Sequence, residues 1–162
     1  ILNLSRQYYG GLNNTVRVKN FELSFLFQFV KQETISPSSF FAIPGLRGNQ
    51  AVEVLNRWQK TGDTREYQMF STRIPSVAST WVQANNSNLV AEDASFVRLK
   101  TLSISYGFPN LFFEKLKIRE GRVFVQGQNL FTASEYTGLD PETGVSLPPL
   151  RMITVGVQLK IN

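Results

Sequence analysis

The sequence predicts an all-β fold, in which antiparallel strands form part of a transmembrane barrel wall with long loops at one end. Two stretches alternate between apolar and polar residues, and a period of two places successive side chains on opposite faces of a sheet. Long and short connections follow one another along the chain. No stretch approaches the roughly 18 consecutive apolar residues of a membrane-spanning helix. If the chain crosses a membrane, we therefore expect it to do so with β-strands.

The composition excludes most catalytic chemistries. The 162 residues include no cysteine and no histidine. Disulfides, thiolate metal sites, a cysteine nucleophile and the usual general base are therefore absent. The net charge is +5, but the lysines and arginines are scattered singly, which is typical of solvated positions rather than of a nucleic-acid surface. We predict that the chain is not an enzyme, has no cofactor or metal site, and binds no nucleic acid.

The first clear strand is predicted over residues 15–30. A turn precedes it at residues 10–14, where two glycines and two asparagines tolerate positive φ. One face of the strand is large and apolar throughout. Its residues are Phe21, Leu23, Phe25, Phe27 and Phe29. Alternating aromatic residues of this kind are typical of strands.

Residues 31–93 are predicted to form a long loop, because prolines and glycines interrupt the alternating pattern, Pro75 among them. A short helix is expected within residues 49–59, with Asn49 as its capping residue. A connection of about sixty residues is much longer than a hairpin in a compact domain needs. Such loops usually carry function.

Three further strands are predicted over residues 94–107, 122–131 and 151–162. Arg98 and Lys100 share the parity of the apolar residues in the first of these, so that end is expected at a membrane interface. The last strand alternates throughout. Its apolar side consists of Ile153, Val155, Val157, Leu159 and Ile161. Residues 132–150 form a second long loop, in which DPETG (140–144) is interpreted as a turn because it lacks the ligand spacing of a calcium loop.

The order of the connections favours a barrel over a sandwich. In an antiparallel meander, the short connections near residues 10–14 and 108–120 fall at one end of the sheet and the long ones at the other. Transmembrane barrels have this layout, and their apolar side chains meet lipid. The apolar rows of the first and last strands are therefore predicted to face lipid. A soluble β-sandwich module that binds carbohydrate is the alternative, because its core also needs alternating apolar residues.

Several motifs together resemble the SusC/RagA-type TonB-dependent outer-membrane transporters of Bacteroidetes. They are EDASFVRLKTLSISYGFP (92–109), RVFVQGQNLFTASEYTGLDPETG (122–144) and the closing strand, with YYGGLNNTVRVKNFELSFLFQF (8–29) and VEVLNRWQK (52–60) before them. The resemblance covers nearly the whole chain and places it at the C-terminal end of such a protein. The ending Lys160-Ile161-Asn162 departs from the aromatic terminal residue that is common in outer-membrane barrels.

The resemblance implies a large barrel of the roughly 22-stranded type, of which this chain is the C-terminal part. The plug and the TonB-binding segment would lie outside the chain. The implied function is import of oligosaccharide or oligopeptide nutrients across the outer membrane of a Gram-negative cell, energised through TonB and assisted by a SusD-like surface lipoprotein. The C-terminus would be periplasmic, and the loops 31–93 and 132–150 extracellular.

Six loop residues are candidates for contact with the lipoprotein or the substrate. They are Arg57, Trp58, Arg65, Tyr67, Trp81 and Tyr136. Aromatic faces stack on sugar rings and anchor protein interfaces. Arginine suits charged partners. Packing within the loops themselves is the alternative for each aromatic residue.

Overall fold

The computed structural model describes residues 3–40, 43–70, 74–109 and 118–161, with the side chains of all of these except residues 74–78 and 119. Five strands form the main sheet: β1 (Tyr8–Val18), β2 (Phe21–Lys31), β5 (Phe96–Gly107), β6 (Ile118–Ser134) and β7 (Met152–Ile161). They lie side by side in this order, and every neighbouring pair is antiparallel. The sheet is open, with β1 and β7 at its edges. The predicted all-β antiparallel class is confirmed.

The chain between β2 and β5 has secondary structure of its own. Short strands β3 (Glu33–Ile35) and β4 (Ala91–Asp93) pair antiparallel beside the main sheet. Helix α1 covers Ile74–Asn85, and 3-10 helices cover Pro37–Phe40, Val52–Asn56 and Asn88–Val90. Within the described ranges, no helix combines the length and the apolar character that crossing a membrane requires.

Two helices in this stretch differ from the prediction. The 3-10 helix Val52–Asn56 lies inside the expected range, but it follows Ala51, which makes no side-chain capping bond, so Asn49 is not its cap. Helix α1 lies where the sequence predicts an irregular loop interrupted by Pro75. The structure places Pro75 in the first helical turn, where the missing N–H of proline is tolerated.

The prediction of one strand over residues 15–30 is wrong, because this stretch belongs to two strands of a hairpin. Val18 pairs with Phe21, and Lys19 with Asn20 makes the turn. Lys19 has a φ of 53°, in the left-handed region that tight hairpin turns use. The predicted turn at residues 10–14 is instead the interior of β1. Gly10 fits there because the ring of its partner Phe29 fills the space above it.

The remaining strands lie close to their predicted ranges. β5 and β7 differ from them only at the ends, and β6 extends beyond residues 122–131 in both directions. The connection predicted near residues 108–120 falls mostly on residues 110–117, which lie outside the described residues.

The strand register brings the two predicted apolar rows onto one face of the sheet. Phe21 pairs with Tyr106, Tyr106 with Val123, and Val123 with Val157, so one apolar row crosses four strands. We call this side the apolar face. It comprises Phe21, Leu23, Phe25, Phe27 and Phe29 on β2; Val97, Leu99, Leu102, Ile104 and Tyr106 on β5; Val123, Val125 and Phe131 on β6; and Ile153, Val155, Val157, Leu159 and Ile161 on β7. Val155 is 73% exposed, so the described chain leaves this face open.

A β-bulge corrects the position expected for Arg98. β5 pairs with β2 through Thr101 and then Leu99, so Lys100 has no partner on β2. The extra residue reverses the parity of the strand, because a shift of one residue exchanges the two faces. Arg98 therefore lies on the opposite side, which we call the polar face. Its other residues include Glu22, Ser24, Gln28, Thr101, Ser103, Ser105, Gln126, Thr154 and Gln158.

Deleting Lys100 in the intact protein tests the bulge. The deletion should turn Val97 and Leu99 towards the polar face and Arg98 towards the apolar face. Such an exchange should lower the free energy of unfolding by about 3 kcal/mol or more, because it leaves a buried charge unpaired. The substitution Lys100→Ala retains the bulge and should change stability by less than about 1 kcal/mol. Urea denaturation of both variants measures the difference, and equal stability would contradict the register.

Candidate functional site

A buried ionic cluster fixes the second long loop onto the polar face of the sheet. The Arg98 Nη2 atom donates to Asp140 Oδ2 at 2.6 Å, and Nη1 donates to Glu142 Oε2 at 2.9 Å. Lys100 Nζ lies 3.4 Å from the same Glu142 oxygen. The Arg98 side chain is only 1% exposed and that of Asp140 only 7%. A buried arginine needs such partners, because an unpaired charge in the interior is strongly destabilising.

Asp140 also organises the turn in which it lies. Its Oδ1 atom accepts hydrogen bonds from the backbone N–H groups of Glu142 and Thr143, at 2.9 and 3.3 Å. The Gly144 N–H donates to the Asp140 carbonyl oxygen at 2.7 Å, and Gly144 has a φ of +67° that suits glycine. The turn predicted at residues 140–144 is therefore present, and its carboxylate is committed to Arg98.

The charges around Asp140 favour its ionised form. Burial by itself raises the pKa of this carboxyl group, but the hydrogen bond from Arg98 and those from the backbone of Glu142 and Thr143 outweigh burial. The net result is a pKa below the ordinary value of 3.8. The loop is therefore held by a carboxylate that stays charged down to unusually low pH.

A second set of contacts ties the two long loops together. Glu92 on β4 accepts hydrogen bonds from the N–H and the hydroxyl of Thr137, at 2.6 and 3.0 Å. Gln32 Nε2 donates to the Pro141 carbonyl oxygen at 2.6 Å. The two ends of the first long loop are joined to each other by an ion pair of 2.5 Å between Lys31 and Asp93, and the hydrogen bond from Lys31, with others from Ser95, lowers the pKa of Asp93 to about 2. Residues of both loops therefore form one structure at this end of the sheet.

Two clefts open among these loop residues. One, of about 770 Å³, lies between the segment Gln50–Glu53, Tyr67, Glu92 and the loop residues Thr137–Leu139 with Val145. We call it the loop cleft. The other, of about 830 Å³, is lined by Asn56, Trp58 and the segment Asp63–Gln68. Both are lined by residues that lie outside the five main strands.

Four of the six candidate contact residues lie together beside these clefts. Trp58 N–H donates to the Tyr67 carbonyl oxygen at 2.8 Å, and Arg57 forms a bridge with Tyr67. The Arg57 guanidinium lies 3.9 Å from the centre of the Phe70 ring, a cation–π contact. Arg65 Nη1 donates to Asn56 Oδ1 at 2.9 Å. Hydrogen bonding and stacking thus hold this group in one small unit.

The other two candidates lie elsewhere. Tyr136 is 9% exposed, and its ring lies over Gly138. Burial, followed by the nearby charge of Glu92, raises the pKa of the Tyr136 hydroxyl. Trp81 lies half-buried on α1 and lines neither cleft. The structure therefore places the Tyr136 ring within the packed base of the loop.

The sequence did not predict the contacts that hold this region together. The residues that make them are Gln32, Glu92, Arg98, Asp140 and Glu142. Arg98 and Asp140 are 42 positions apart, so no local motif links them. One signal was present. Arg98 occupies a position in the alternating strand where an apolar residue is expected. Such an arginine either lies at a membrane interface or lies next to a bulge and has a buried partner.

Comparisons with known proteins agree with this geometry. TonB-dependent receptor P3 of Formosa agariphila is 28% identical over 93% of this chain, and TonB-dependent receptor SusC of Bacteroides thetaiotaomicron is 28% identical over 86%. A solved structure of the RagAB peptide importer in its open-open state matches 94% of the chain with a TM-score of 0.72 and 25% identity. The chain is similar to SusC/RagA-type TonB-dependent receptors. The predicted family resemblance is confirmed.

The chain matches only a small part of each of these proteins. It spans 16% and 13% of the length of the two receptors and 17% of the matched importer chain. No protein-family model matches it. The structural match confirms the predicted barrel-type antiparallel strands, which here form an open sheet.

Removing the charge of Arg98 should release the second loop. In Arg98→Met the Asp140 carboxylate stays buried without its partner, and the expected loss of stability is about 3–5 kcal/mol. Arg17→Met breaks an ion pair with Glu22 that is mostly exposed, and should lose less than about 1 kcal/mol. Urea midpoints and protease cleavage within residues 136–147 distinguish the two. Equal effects would show that the ion pair is not what anchors the loop.

The docking of this loop should also depend on pH. Because folding lowers the pKa of Asp140, its stabilisation is complete above the ordinary value of 3.8 and is lost as the pH falls through the lowered value. Hydrogen exchange of residues 136–147 should therefore increase as the pH falls below about 4, after correction for intrinsic rates. Asp140→Asn should remove that increase. A variant with the same pH profile as the unmodified protein would assign the effect to another group.

Proposed function

We propose that the chain forms a section of barrel wall and part of the outer loops of a TonB-dependent nutrient importer in the outer membrane of a Gram-negative cell. The observation that carries this proposal is the apolar face, which is continuous across β2, β5, β6 and β7, while most residues of the other face are charged or polar. Barrel walls in membranes are built in this way, with apolar side chains outwards and polar ones towards the lumen.

The exposure of the apolar face supports a lipid environment. Val157 is 66% exposed, Ile153 is 67% exposed and Phe21 is 57% exposed. A soluble sheet buries such a row against a second layer, and no described part of the chain supplies one. The receptor relatives do not favour the alternative of a soluble carbohydrate-binding sandwich. The ten residues predicted to face lipid, on β2 and β7, are retained as lipid contacts in this proposal.

The orientation follows from the lengths of the connections. The two-residue turn between β1 and β2 lies at one end of the sheet, and the segments between β2 and β5 and between β6 and β7 lie at the other. In outer-membrane barrels short turns are periplasmic and long loops are extracellular. We therefore place the folded loop region outside the cell and the end of β7 on the periplasmic side.

The partners in this proposal are those that the family resemblance implied. A SusD-like lipoprotein would cover the outer loops, and TonB would act through parts of the receptor outside this chain. The cargo would be an oligosaccharide or an oligopeptide, and one structural relative is a peptide importer. Arg57, Trp58, Arg65, Tyr67 and Trp81 are the proposed contact residues, since they lie in the loop region. Tyr136 is not retained among them, because its side chain is buried within the second loop.

Placing a charge on each face in turn tests the proposed function. Val157→Arg in the full-length receptor should reduce the amount of heat-modifiable barrel in the outer membrane, because arginine in the lipid region costs about 2–4 kcal/mol near the midplane. Thr154→Arg adds the same charge on the polar face and should assemble normally. TonB-dependent uptake should follow the amount of assembled barrel. Normal assembly and uptake by Val157→Arg would contradict the proposal.

A further inference from the structure

At the end of the sheet where the long loops begin, the polar face is covered and the apolar face is not. Three consecutive residues of β5 show the difference. Phe96 and Arg98 on the polar face are 4% and 1% exposed, whereas Val97 between them, on the apolar face, is 46% exposed. Val30, the partner of Phe96 on β2, is also only 4% exposed. Part of the chain therefore packs against the polar side of the sheet at this end.

The second loop lies over this covered part of the polar face. The buried ion pair between Arg98 and Asp140 joins the loop to β5. Near the other end of the loop, Asn129 Nδ2 on β6 donates to the Leu150 carbonyl oxygen at 3.1 Å. These four residues line a cavity of about 470 Å³ together with Thr132, which pairs with Arg98 and therefore shares its face. The loop is thus attached to the polar side of the sheet at more than one point.

The length of the second loop allows it to fold back in this way. It joins β6 to β7, which are antiparallel neighbours, and a turn of two residues is enough to connect such a pair. The loop instead comprises residues 135–151. In the proposed barrel, the polar face surrounds the lumen and the apolar face meets lipid. A segment that lies over the polar face is therefore inside the outline of the barrel and not above the surrounding membrane.

We propose that the second loop folds into the outer mouth of the lumen and narrows the passage through which cargo enters, with Arg98 as the positioning residue that holds it there. Leu147 is 84% exposed and Leu150 is 85% exposed, so neither side chain is used to pack the loop on the sheet. Both therefore belong to the side of the loop that faces the interior of the lumen. Pro148 and Pro149 between them restrict the backbone, which gives this tip a defined shape. This inference rests on the proposed function, because only a closed barrel gives the polar face a lumen, and it adds an element that limits the size of the cargo.

Reagents of two sizes test this inference in the purified full-length receptor, without its lipoprotein. A single cysteine, Leu147→Cys, is modified with N-ethylmaleimide and with a maleimide that carries a long polyethylene glycol chain. The rate with the small reagent is divided by the rate with the large one, in folded and in denatured receptor. This ratio should be at least about tenfold higher in the folded receptor, because the large reagent must wait for a minor open state of the loop, and such states are about 0.1–10% populated. Arg98→Met releases the loop and should return the ratio to the denatured value, whereas Arg17→Met breaks an exposed ion pair at the other end of the sheet and should not change it.

The inference is supported if the folded receptor excludes the large reagent from position 147 and only the release of the loop removes this exclusion. It is overturned if the ratio is the same in folded and denatured receptor, since the exposed Leu147 would then lie on an open surface. It is likewise overturned if the ratio stays high in the released variant. Where Arg98→Met does not form a heat-modifiable barrel, Asp140→Asn takes its place, because it removes the charge on the other side of the same ion pair. Assembly of the barrel is measured separately, so a receptor that assembles but admits the large reagent disproves only this inference.

Discussion

The alternation of side chains between the two faces of one antiparallel sheet is the constraint on which the structure depends. Each residue of β2, β5, β6 and β7 is committed to an apolar or a polar environment by its register. Lys100, which has no partner on β2, maintains that division where simple parity would place Arg98 among apolar neighbours. Without the bulge, the residues of β5 before Lys100 would turn to the opposite faces of the sheet. Arg98 would then no longer contact the second loop.

Arg98 connects the sheet to the loops above it. Because it is buried on the polar face, it can neutralise Asp140 and Glu142, and these residues define the turn at 140–144. The same loop then reaches Glu92 and Gln32, which belong to the segment between β2 and β5. The loop residues that line the loop cleft are thus connected to the sheet by ion pairs and hydrogen bonds.

The sequence was informative where the physics is local. The alternating rows on β2 and β7 were predicted correctly as strand faces, because period-two patterns require only neighbouring residues. The hairpin turn was missed because Lys19 and Asn20 are a weaker turn signal than the glycines and asparagines before them, and Gly10 is explained only by Phe29 across the sheet. Arg57, Trp58, Arg65 and Tyr67 lie together in the structure because they are close to one another in the sequence. The pairing of Arg98 with Asp140 depends on register and long-range packing, which composition does not reveal.

Solvent accessibility along β7 of the membrane-assembled receptor tests the central claim most directly. The chain contains no cysteine, so single substitutions from Ile153→Cys to Gln158→Cys place a spin label at one position of it at a time. We expect collisions with oxygen, which concentrates in lipid, to be frequent at positions 153, 155 and 157, and collisions with a water-soluble nickel complex to be frequent at 154, 156 and 158. An alternation of period two with these maxima supports a barrel wall with its apolar face in lipid. Uniform access to the water-soluble reagent, or the opposite alternation, would contradict it.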